Sequence, residues 1–380
     1  MTNTLERSTE NVGFPIGCIG VTRDNEIVLG GGGGTGRSGV RNKLVLKLKR
    51  SHELELSNEE DAPTCLAVNP KGKTIVSSIN MSDDTIKKGA NKNCRIFTVT
   101  KKDISAGKAA NTICSTSDYD YQKSIAFDAA GKLVASGSTD GTLAVLLYPS
   151  LHPAFPFVEA AGEINDVCFN AQGKWLAVAT NDELKILSAK TGALVQTIDN
   201  PHTSSGQSAV FRFARFGSEK GTLRLNSSRT KLKDALYTVL NTKSRKQAYI
   251  AVWNTVSWKR IATRPVCNSA ITTFAMSGDG ALLAFATASL QISICDAHSL
   301  RVLARIQNAH AFAITALAFD SSGKFLVSGS ADETCQVIRI PAKWPTAIES
   351  FSAMFHDNIQ TIIMVFVLLV AIALSFSLRS

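Results

Sequence analysis

The residues most able to do chemistry by type and spacing lie in a run of glycines near the N-terminus. Residues 30–34 are five consecutive glycines, and Gly36 and Gly39 follow closely. Glycine enters conformations with φ > 0 without a Cβ clash, but it loses more backbone entropy on ordering than any other residue. Such a run therefore indicates either a loose linker or a loop of specific shape.

The segments on either side of the glycines favour a shaped loop. An apolar run ends at Leu29, and residues 44–49 largely alternate apolar and basic side chains. Both patterns are typical of β-strands. The sequence therefore predicts a loop that joins two strands of one sheet.

Two nucleotide-binding motifs overlap the glycine run. Residues 31–38 read G-x-x-x-x-G-R-S, which lacks the lysine of a P-loop, and residues 34–39 read G-x-G-x-x-G. Both motifs require a helix directly after the glycines, because its N-terminal N–H groups and dipole hold the phosphates. The residues that follow are strand-like instead, so a nucleotide-binding enzyme is the disfavoured alternative.

The composition predicts a globular chain with a large core. Of its 380 residues 44% are hydrophobic and 19% charged, and the net charge of +10 favours partners with anionic surfaces. Its eight cysteines include no C-x-x-C pair, which is typical of reduced, buried thiols. Its six histidines lack the spacing of metal ligands, so we do not expect a zinc-type site.

A repeated unit runs through the chain. Residues 126–142 recur closely as 318–334, and weaker copies begin near residues 66, 167 and 274. Each unit reads as strand, glycine turn, strand, aspartate turn, strand. Two pairs of turn glycines, Gly131/Gly173 and Gly280/Gly323, are spaced by 42 and 43 residues, within the ~40 to 45 residue period of WD40 blades.

The spacing predicts an all-β, seven-bladed, WD40-like propeller over residues 1–340. One blade falls at residues 207–263, with strands at 211–216 and 249–253. We expect residues 11–20 to close the ring by adding a strand to the last blade, at 312–340. His310, Asp140 and Asp332 fall where propellers tie their turns together, so we assign them structural rather than catalytic roles.

Two polar insertions depart from the blade plan. Residues 81–93 are rich in lysine, and residues 224–246 hold seven Lys or Arg against the single acidic Asp234. A solvated loop is the simplest interpretation of both. The second is also a candidate for contact with anionic lipid, whereas nucleic-acid binding is not expected, because only Tyr237 interleaves an aromatic ring with the charges.

The C-terminal residues predict a membrane anchor. A neck at residues 341–358 precedes residues 359–378, which carry no charge and are long enough as a helix to cross a ~30 Å hydrocarbon core. Residues 1–10 lack the apolar core of a signal peptide. We therefore expect the propeller in the cytosol and a lumenal tail of residues 379–380.

This organisation resembles the Sec-twelve family, whose animal members are called prolactin regulatory element-binding protein. The resemblance rests on residues 11–15 (NVGFP), on the glycines with Gly39-Val-Arg-Asn-Lys-Leu44, and on the order of propeller and anchor. It implies an endoplasmic reticulum membrane protein that exchanges GDP for GTP on the Sar-type small GTPase and so starts COPII coat assembly. The activity would regulate a GTPase and involve no bond chemistry of its own.

The resemblance also implies a site. The loop would bind a potassium ion through main-chain groups, at positions matching Gly31, Gly32, Gly33, Gly34, Gly36 and Gly39. Asn42 would enter the GTPase, with Val40 and Leu44 beside it, and as a surface loop residue Asn42 should contribute little to fold stability. The alternative is a silent, membrane-anchored scaffold that collects cargo or coat proteins, since some family members have lost exchange activity.

Overall fold

Antiparallel strands joined by tight turns make up almost all of the described chain. The computed structural model describes residues 5–35, 38–47, 52–100, 103–199, 206–217, 223–225, 228–230 and 235–344. Residues 5–340 form one compact unit. The predicted membrane helix at 359–378 and most of the neck lie outside the described residues, and among the described residues no helix is long and apolar enough to cross a membrane.

The first four blades follow one another along the chain. After β1 (Arg7–Asn11), blade 1 holds β2 (Ile16–Val21), β3 (Ile27–Gly31), β4 (Lys43–Lys47) and β5 (His52–Glu55). Blade 2 holds β6 (Leu66–Val68), β7 (Thr74–Ser78), β8 (Cys94–Val99) and β9 (Ile104–Ala110), with α1 (Asp83–Lys87) between β7 and β8. Blade 3 holds β10 (Gln122–Phe127), β11 (Leu133–Ser138), β12 (Thr142–Leu147), β13 (His152–Pro153) and β14 (Val158–Glu159); blade 4 holds β15 (Ile164–Phe169), β16 (Trp175–Thr180), β17 (Glu183–Ser188) and β18 (Leu194–Asp199).

Three further blades complete the predicted seven. Blade 5 holds β19 (Ala209–Phe216), β22 (Leu236–Thr242), β23 (Ala248–Trp253) and β24 (Arg260–Cys267), with a hairpin of β20 (Leu223–Leu225) and β21 (Ser228–Thr230) inserted after β19. Blade 6 holds β25 (Ile271–Met276), β26 (Leu282–Thr287), β27 (Ile292–Asp296) and β28 (Val302–Ile306); blade 7 holds β29 (Ile314–Phe319), β30 (Phe325–Ser330) and β31 (Thr334–Arg339), with β1 as its fourth strand. The all-β propeller is therefore confirmed, as is the blade predicted at 207–263.

The turn between the first two strands of a blade has a local cause. In blade 3 the Asp128 carboxylate accepts the backbone N–H groups of Lys132 and Leu133, and Gly131 takes a φ of +67° inside the turn. Glycine adopts this left-handed conformation without strain. Asn170 makes the equivalent contacts in blade 4. The repeat in the sequence therefore reflects the residues that form these turns as well as the apolar residues of the strands.

The hydrophobic core lies in layers between neighbouring blades. One layer joins blades 1 and 2 through Leu44, Leu46, Ile75 and Phe97, and similar layers join other neighbouring pairs. Each sheet buries both faces in this way, since a single blade has no core of its own.

The strand that closes the ring is not the predicted one. We expected residues 11–20, but β1 pairs with β31 from Arg7 opposite Ile338 to Asn11 opposite Thr334. Every residue of β1 is exposed, so no apolar pattern could mark it. The segment 16–21 is instead the buried inner strand of blade 1, separated from β1 by a turn at Gly13 (φ +75°).

The three predicted turn residues hold the positions expected of them. The Asp140 carboxylate accepts N–H groups from Cys114 and Ser115 at 2.9 and 3.0 Å. Asp332 accepts from Ala311 and Thr334, and His310 contacts Thr334 and Ser328. These side chains fasten loops within a blade, as the structural interpretation predicts.

One insertion is smaller than predicted. The segment 224–246 includes β22, whose seven residues are all buried in blade 5. Tyr237, which the sequence pattern places among surface charges, is a core residue whose hydroxyl donates to the Ala297 carbonyl at 3.1 Å. The prediction failed here because basic stretches on both sides hid a short apolar strand.

Candidate functional site

The glycine run begins inside a strand and ends in a loop between β3 and β4. Gly30 and Gly31 belong to β3, where Gly31 pairs with Ile16 on one side and Lys43 on the other. A Cβ at Gly31 would lie 2.0 Å from the Pro15 carbonyl oxygen. Gly31 must therefore be glycine because the Pro15 backbone lies too close for a side chain, and its own backbone pairs within the sheet.

The Asn42 side chain shapes the loop from within. Its Oδ1 accepts the Gly34 N–H at 2.9 Å, while its Nδ2 donates to the carbonyls of Gly34 at 3.0 Å and Glu60 at 2.8 Å. Asn42 is only 5% exposed. All three of these hydrogen bonds go to main-chain atoms, so this amide fixes the path of two segments at once.

The second of those segments is held by an ion pair. Glu60, whose carbonyl accepts from Asn42, pairs through its carboxylate with Arg95 at 2.6 Å, and it also accepts the Ser57 N–H at 3.0 Å. Arg95 belongs to β8 of blade 2. The glycine loop is thus anchored to the neighbouring blade through Asn42 and Glu60.

The middle glycines leave no room for side chains. Gly32 has a φ of +142°, and a Cβ there would lie 2.3 Å from the Asn42 Oδ1; at Gly33 a Cβ would lie 1.8 Å from the Ser38 Oγ. Gly34 and Gly39 have φ values of +74° and +77°, which favour glycine. Gly39 faces open space and Gly36 lies outside the described residues.

A carboxylate that the sequence reasoning missed borders the loop. A Cβ on Gly34 would lie 3.2 Å from the Asp61 Oδ1, and Asp61 accepts the Ala62 N–H at 2.7 Å. Burial raises the pKa of Asp61 above its usual range, although hydrogen bonds from the Ala62 and Thr35 backbone oppose that shift. Only its position, 19 residues beyond Asn42 and next to Glu60, could have signalled it.

Two of the three side chains expected to meet the GTPase are not at the surface. Leu44 is fully buried between blades 1 and 2, because its position in β4 points it into that layer. Asn42 is buried by its loop contacts. Val40 is half-buried and packs on the cluster of Phe14 and Ile16. In this structure Leu44 therefore has no exposed side-chain surface for a partner.

Among the loop residues that the structure describes, other side chains are exposed. Thr35, Ser38, Gly39 and Arg41 are exposed, and Arg41 forms an ion pair with Glu55 of β5. The Ser38 Oγ accepts the Val40 N–H at 3.3 Å. A partner that contacts these residues meets main chain, the hydroxyls of Thr35 and Ser38 and the guanidinium of Arg41.

The loop is not a phosphate cradle of the P-loop kind. The chain passes from the loop into β4, so the described residues that follow the glycines provide no helix N-terminus. Nor do the described residues contain a group of three or more His, Cys, Asp or Glu placed to hold a metal ion.

Comparison with known proteins agrees with this architecture. Residues 112–145 and 301–339 match the family described as "WD domain, G-beta repeat". The chain is 27% identical over 374 residues to "Guanine nucleotide-exchange factor SEC12" of Candida glabrata, covering 94% of this chain and 78% of the relative. It is 25% identical to "SEC12-like protein 2" of Arabidopsis thaliana, covering 81% and 74%.

These matches confirm the resemblance to the Sec-twelve family. A shorter match, 24% identical over 237 residues, links the chain to "Guanine nucleotide-exchange factor SEC12" of Rattus norvegicus, covering 58% of this chain and 55% of the relative. The chain is also 22% identical to "Putative guanine nucleotide-exchange factor SED4" of Candida glabrata, covering 88% and 32%. The similarity to SEC12 therefore extends across all seven blades, beyond the two regions that match the WD repeat.

Proposed function

We propose that this chain is a guanine nucleotide-exchange factor for a small GTPase of the Sar type. The observation that carries the proposal is the similarity to an exchange factor over 94% of the chain. A shaped glycine loop on the first blade supports it, because such a loop offers a rigid element for insertion into a partner.

The proposed mechanism is displacement of the nucleotide. A small GTPase that holds GDP with nanomolar affinity does so by about −12 kcal/mol, and each ~1.4 kcal/mol removed changes the equilibrium constant tenfold. The loop stabilises the nucleotide-free GTPase and disturbs its phosphate-binding elements, so that GDP leaves and GTP enters. Rigidity contributes because an ordered loop loses little entropy on binding.

In this mechanism the loop residues divide into two roles. Asn42 and Glu60 hold the loop in shape, and Thr35, Ser38 and Arg41 present it to the GTPase. Asn42 acts through the backbone that it positions rather than by entering the partner itself. This assignment follows from its burial and its three hydrogen bonds to main chain.

A potassium ion fits the donor set beside the loop. Main-chain carbonyls replace the hydration shell of potassium, and the Asp61 carboxylate adds a partly buried negative charge next to Gly34. The residues that would hold it are Asp61 and the carbonyls of the loop glycines, among them Gly32 and Gly33. The ion would offset the Asp61 charge and hold those carbonyls together.

The proposed site of action is the endoplasmic reticulum membrane, where exchange would start COPII coat assembly. The uncharged residues 359–378 support a single-pass anchor, with the propeller in the cytosol. Anchoring would confine the activated GTPase to that membrane. The Lys- and Arg-rich residues 224–235, at the start of the second predicted insertion, would assist by attraction to anionic lipid.

One observation favours a second candidate, a catalytically silent scaffold. Leu44 and Asn42 are buried, so two of the three expected contacts are unavailable in this conformation. A propeller without exchange activity would still present its exposed faces to cargo or coat proteins.

The deciding experiment measures nucleotide release directly. The full chain, reconstituted in liposomes, is added in catalytic amounts to a Sar-type GTPase loaded with a fluorescent GDP analogue. Exchange activity predicts acceleration of release at least tenfold over empty liposomes. No acceleration would contradict exchange activity and favour the scaffold, whether or not the GTPase binds.

A further inference from the structure

A ring of side chains ties the innermost strands together at one end of the propeller. Each contributing residue reaches the next blade's innermost strand and donates to a carbonyl there. The four donor–carbonyl pairs are Thr64 to Gln122 (2.8 Å), Asn165 to Phe211 (2.9 Å), Thr272 to Ile314 (3.0 Å) and Thr315 to Ile16 (2.6 Å). The connections between second and third strands, including the glycine loop, lie at this same end.

In blades 3 and 5 the position that corresponds to Asn165 and Thr272 is held by a cation. Lys123 and Arg212 sit at strand bulges equivalent to those of Asn165 and Thr272. Neither donates to the next blade's carbonyl; both donate to the Asn165 Oδ1, at 2.8 and 2.9 Å, and Lys123 also forms an ion pair with Glu163, so among the described residues the unpaired cations of this surface are those of the cleft. Asn241 instead takes over the link to blade 6, because its Nδ2 donates to the Ile271 carbonyl at 2.9 Å.

Arg212 therefore faces a cleft instead of closing the ring. The cleft has a volume of about 530 Å³ and lies among blades 4, 5 and 6. Arg212, Lys243 and Arg245 line it, against the single carboxylate of Asp182 among its lining residues. Lys243 and Arg245 are exposed and make no side-chain hydrogen bond or ion pair with any residue that the structure describes.

Exposed tyrosines continue this surface over blade 3. Tyr119 is 87% exposed and Tyr121 is 36% exposed, directly before β10. Their loop is ordered, because Thr139 accepts the Tyr121 N–H at 3.0 Å and donates to Asp120 at 2.8 Å. Tyrosine and arginine are the residues that most often carry binding energy in protein interfaces.

We propose that this axial surface binds an acidic segment of a partner protein. The axial surface consists of Tyr119, Tyr121, Lys123, Arg212, Lys243 and Arg245. Carboxylates of the segment pair with the cations in the cleft, and apolar side chains of the segment pack on the tyrosines. This interaction is separate from the glycine loop and does not depend on nucleotide exchange.

The arrangement favours a peptide over a compact polyanion such as an inositol phosphate. The tyrosines lie at the start of blade 3 and the cations of the cleft belong to blade 5, with blade 4 between them, so a ligand that uses both must be extended. A compact anion would use the cleft alone and would leave the two tyrosines without a role. Charge complementarity also predicts that binding weakens as salt screens the surface.

Fluorescence anisotropy of the full chain tests the proposal. The probe is a labelled twelve-residue peptide in which Glu and Asp alternate with Leu. Arg212→Gln combined with Lys243→Gln and Arg245→Asn should weaken binding at least tenfold, and asparagine tolerates the positive φ of Arg245. Lys243→Gln with Arg245→Asn alone, at exposed positions, should weaken it at least threefold and serves if the triple variant does not fold.

The matched control removes three charges from the opposite end of the propeller. Lys71, Lys132 and Lys324 are exposed in the turns between first and second strands, and their change to glutamine should leave binding within twofold. Tyr119→Ala with Tyr121→Ala should weaken binding at least threefold without changing its salt dependence. Equal loss in the control triple variant would overturn the proposal, as would binding of inositol hexakisphosphate by a protein that does not bind the peptide.

Discussion

Asn42 holds both polar groups of Gly34, accepting its N–H at 2.9 Å and donating to its carbonyl at 3.0 Å. One buried amide thereby fixes a residue eight positions earlier in a loop that has few side chains of its own. A loop made largely of glycine would otherwise sample many conformations. The shape of the candidate site therefore depends on a residue that a partner need not touch.

Replacement of Asn42 should affect both stability and exchange. Asn42→Ala leaves three main-chain groups without their partner, and each unsatisfied buried group costs about 1–3 kcal/mol. We expect the free energy of unfolding to fall by at least about 1 kcal/mol in urea titrations, and GDP release to slow at least fivefold. This expectation replaces the one based on the sequence, that Asn42 contributes little to stability, because Asn42 is buried.

A buried asparagine elsewhere separates the two effects. Asn170 accepts the N–H groups of Lys174 and Trp175, both at 2.8 Å, at the other end of the propeller. Asn170→Ala should lose comparable stability and keep its exchange rate. If Asn170→Ala slowed exchange as much as Asn42→Ala, the loop would have no special role.

Two glycines of the loop should respond differently to the same substitution. A Cβ at Gly32 would lie 2.3 Å from the Asn42 Oδ1 and 2.5 Å from the Asn42 Cα, so Gly32→Ala must displace Asn42. Gly39→Ala meets no atom within 4 Å and carries only the strain of a positive φ, about 1–2 kcal/mol. In nucleotide-release assays Gly32→Ala should lose most activity and Gly39→Ala less than fivefold. A larger loss of activity for Gly39→Ala than for Gly32→Ala would show that the exposed residues, and not the contacts of Asn42, govern exchange.

Potassium dependence should be linked to Asp61. If an ion offsets this carboxylate beside Gly34, exchange should be slower in lithium than in potassium at equal ionic strength. Asp61→Asn should then raise the potassium concentration needed for half-maximal exchange. The exposed Glu59 provides the control, since Glu59→Gln should leave that concentration unchanged. Equal rates in the two salts would remove the ion from the mechanism.

Stability should fall in mild acid because of His310. Burial lowers the pKa of His310 below 6.5, although Asp332 opposes the shift. As the pH falls below 6.5 the unfolded chain binds a proton that the folded histidine resists, so the unfolded state gains stability. The slope can approach about 1.4 kcal/mol per pH unit for one proton. His310→Gln should remove it in urea titrations from pH 7.5 to 5.5, whereas the exposed His152→Gln should keep it.

A second loss of stability should follow at lower pH. Burial disfavours the charged form of Asp332, but hydrogen bonds from Thr334 and Ala311 outweigh it and lower its pKa to about 2. The contribution is complete above pH 3.8 and is lost as the pH falls through about 2. Asp332→Asn should be less stable at neutral pH and should lose less between pH 4 and 2. Parallel curves for the two proteins would contradict this assignment.

Two segments, Asn80-Met-Ser82 and Asn226-Ser-Ser228, match the N-x-S/T acceptor sequence for N-glycosylation, and the one at Asn226 provides the test of topology. Asn80, in the other sequon, is 4% exposed and donates to the Asp120 carbonyl, so the fold itself hides it. If the propeller is cytosolic, Asn226 carries no glycan, and glycosidase treatment of protein from its native membrane should leave its mass unchanged. Fusion of a signal peptide should lead to glycosylation of Asn226, which would show that the site can be modified. A mass shift in the native protein would contradict the cytosolic orientation.

The sequence by itself determined the repeat and therefore the ring. Turn residues such as Asp128 and Gly131 act within a few positions of the chain, so their spacing predicts strands, turns and seven blades. The glycine run likewise predicted a shaped loop, because a linker would not be flanked by two strands. Turns and loops of this kind depend on residues that are close together in the sequence, so the sequence alone predicts them.

Only the tertiary structure decided which side chains face a partner. Asn42 lies in a stretch that reads as an exposed loop and Leu44 at the start of the strand after it, yet contacts with Glu60 and with blade 2 bury them. Asp61 reaches the loop from a separate segment. The all-polar β1 closes the ring through main-chain pairing, which leaves no apolar pattern. Each of these features depends on residues distant in sequence, and a one-dimensional pattern does not contain that proximity.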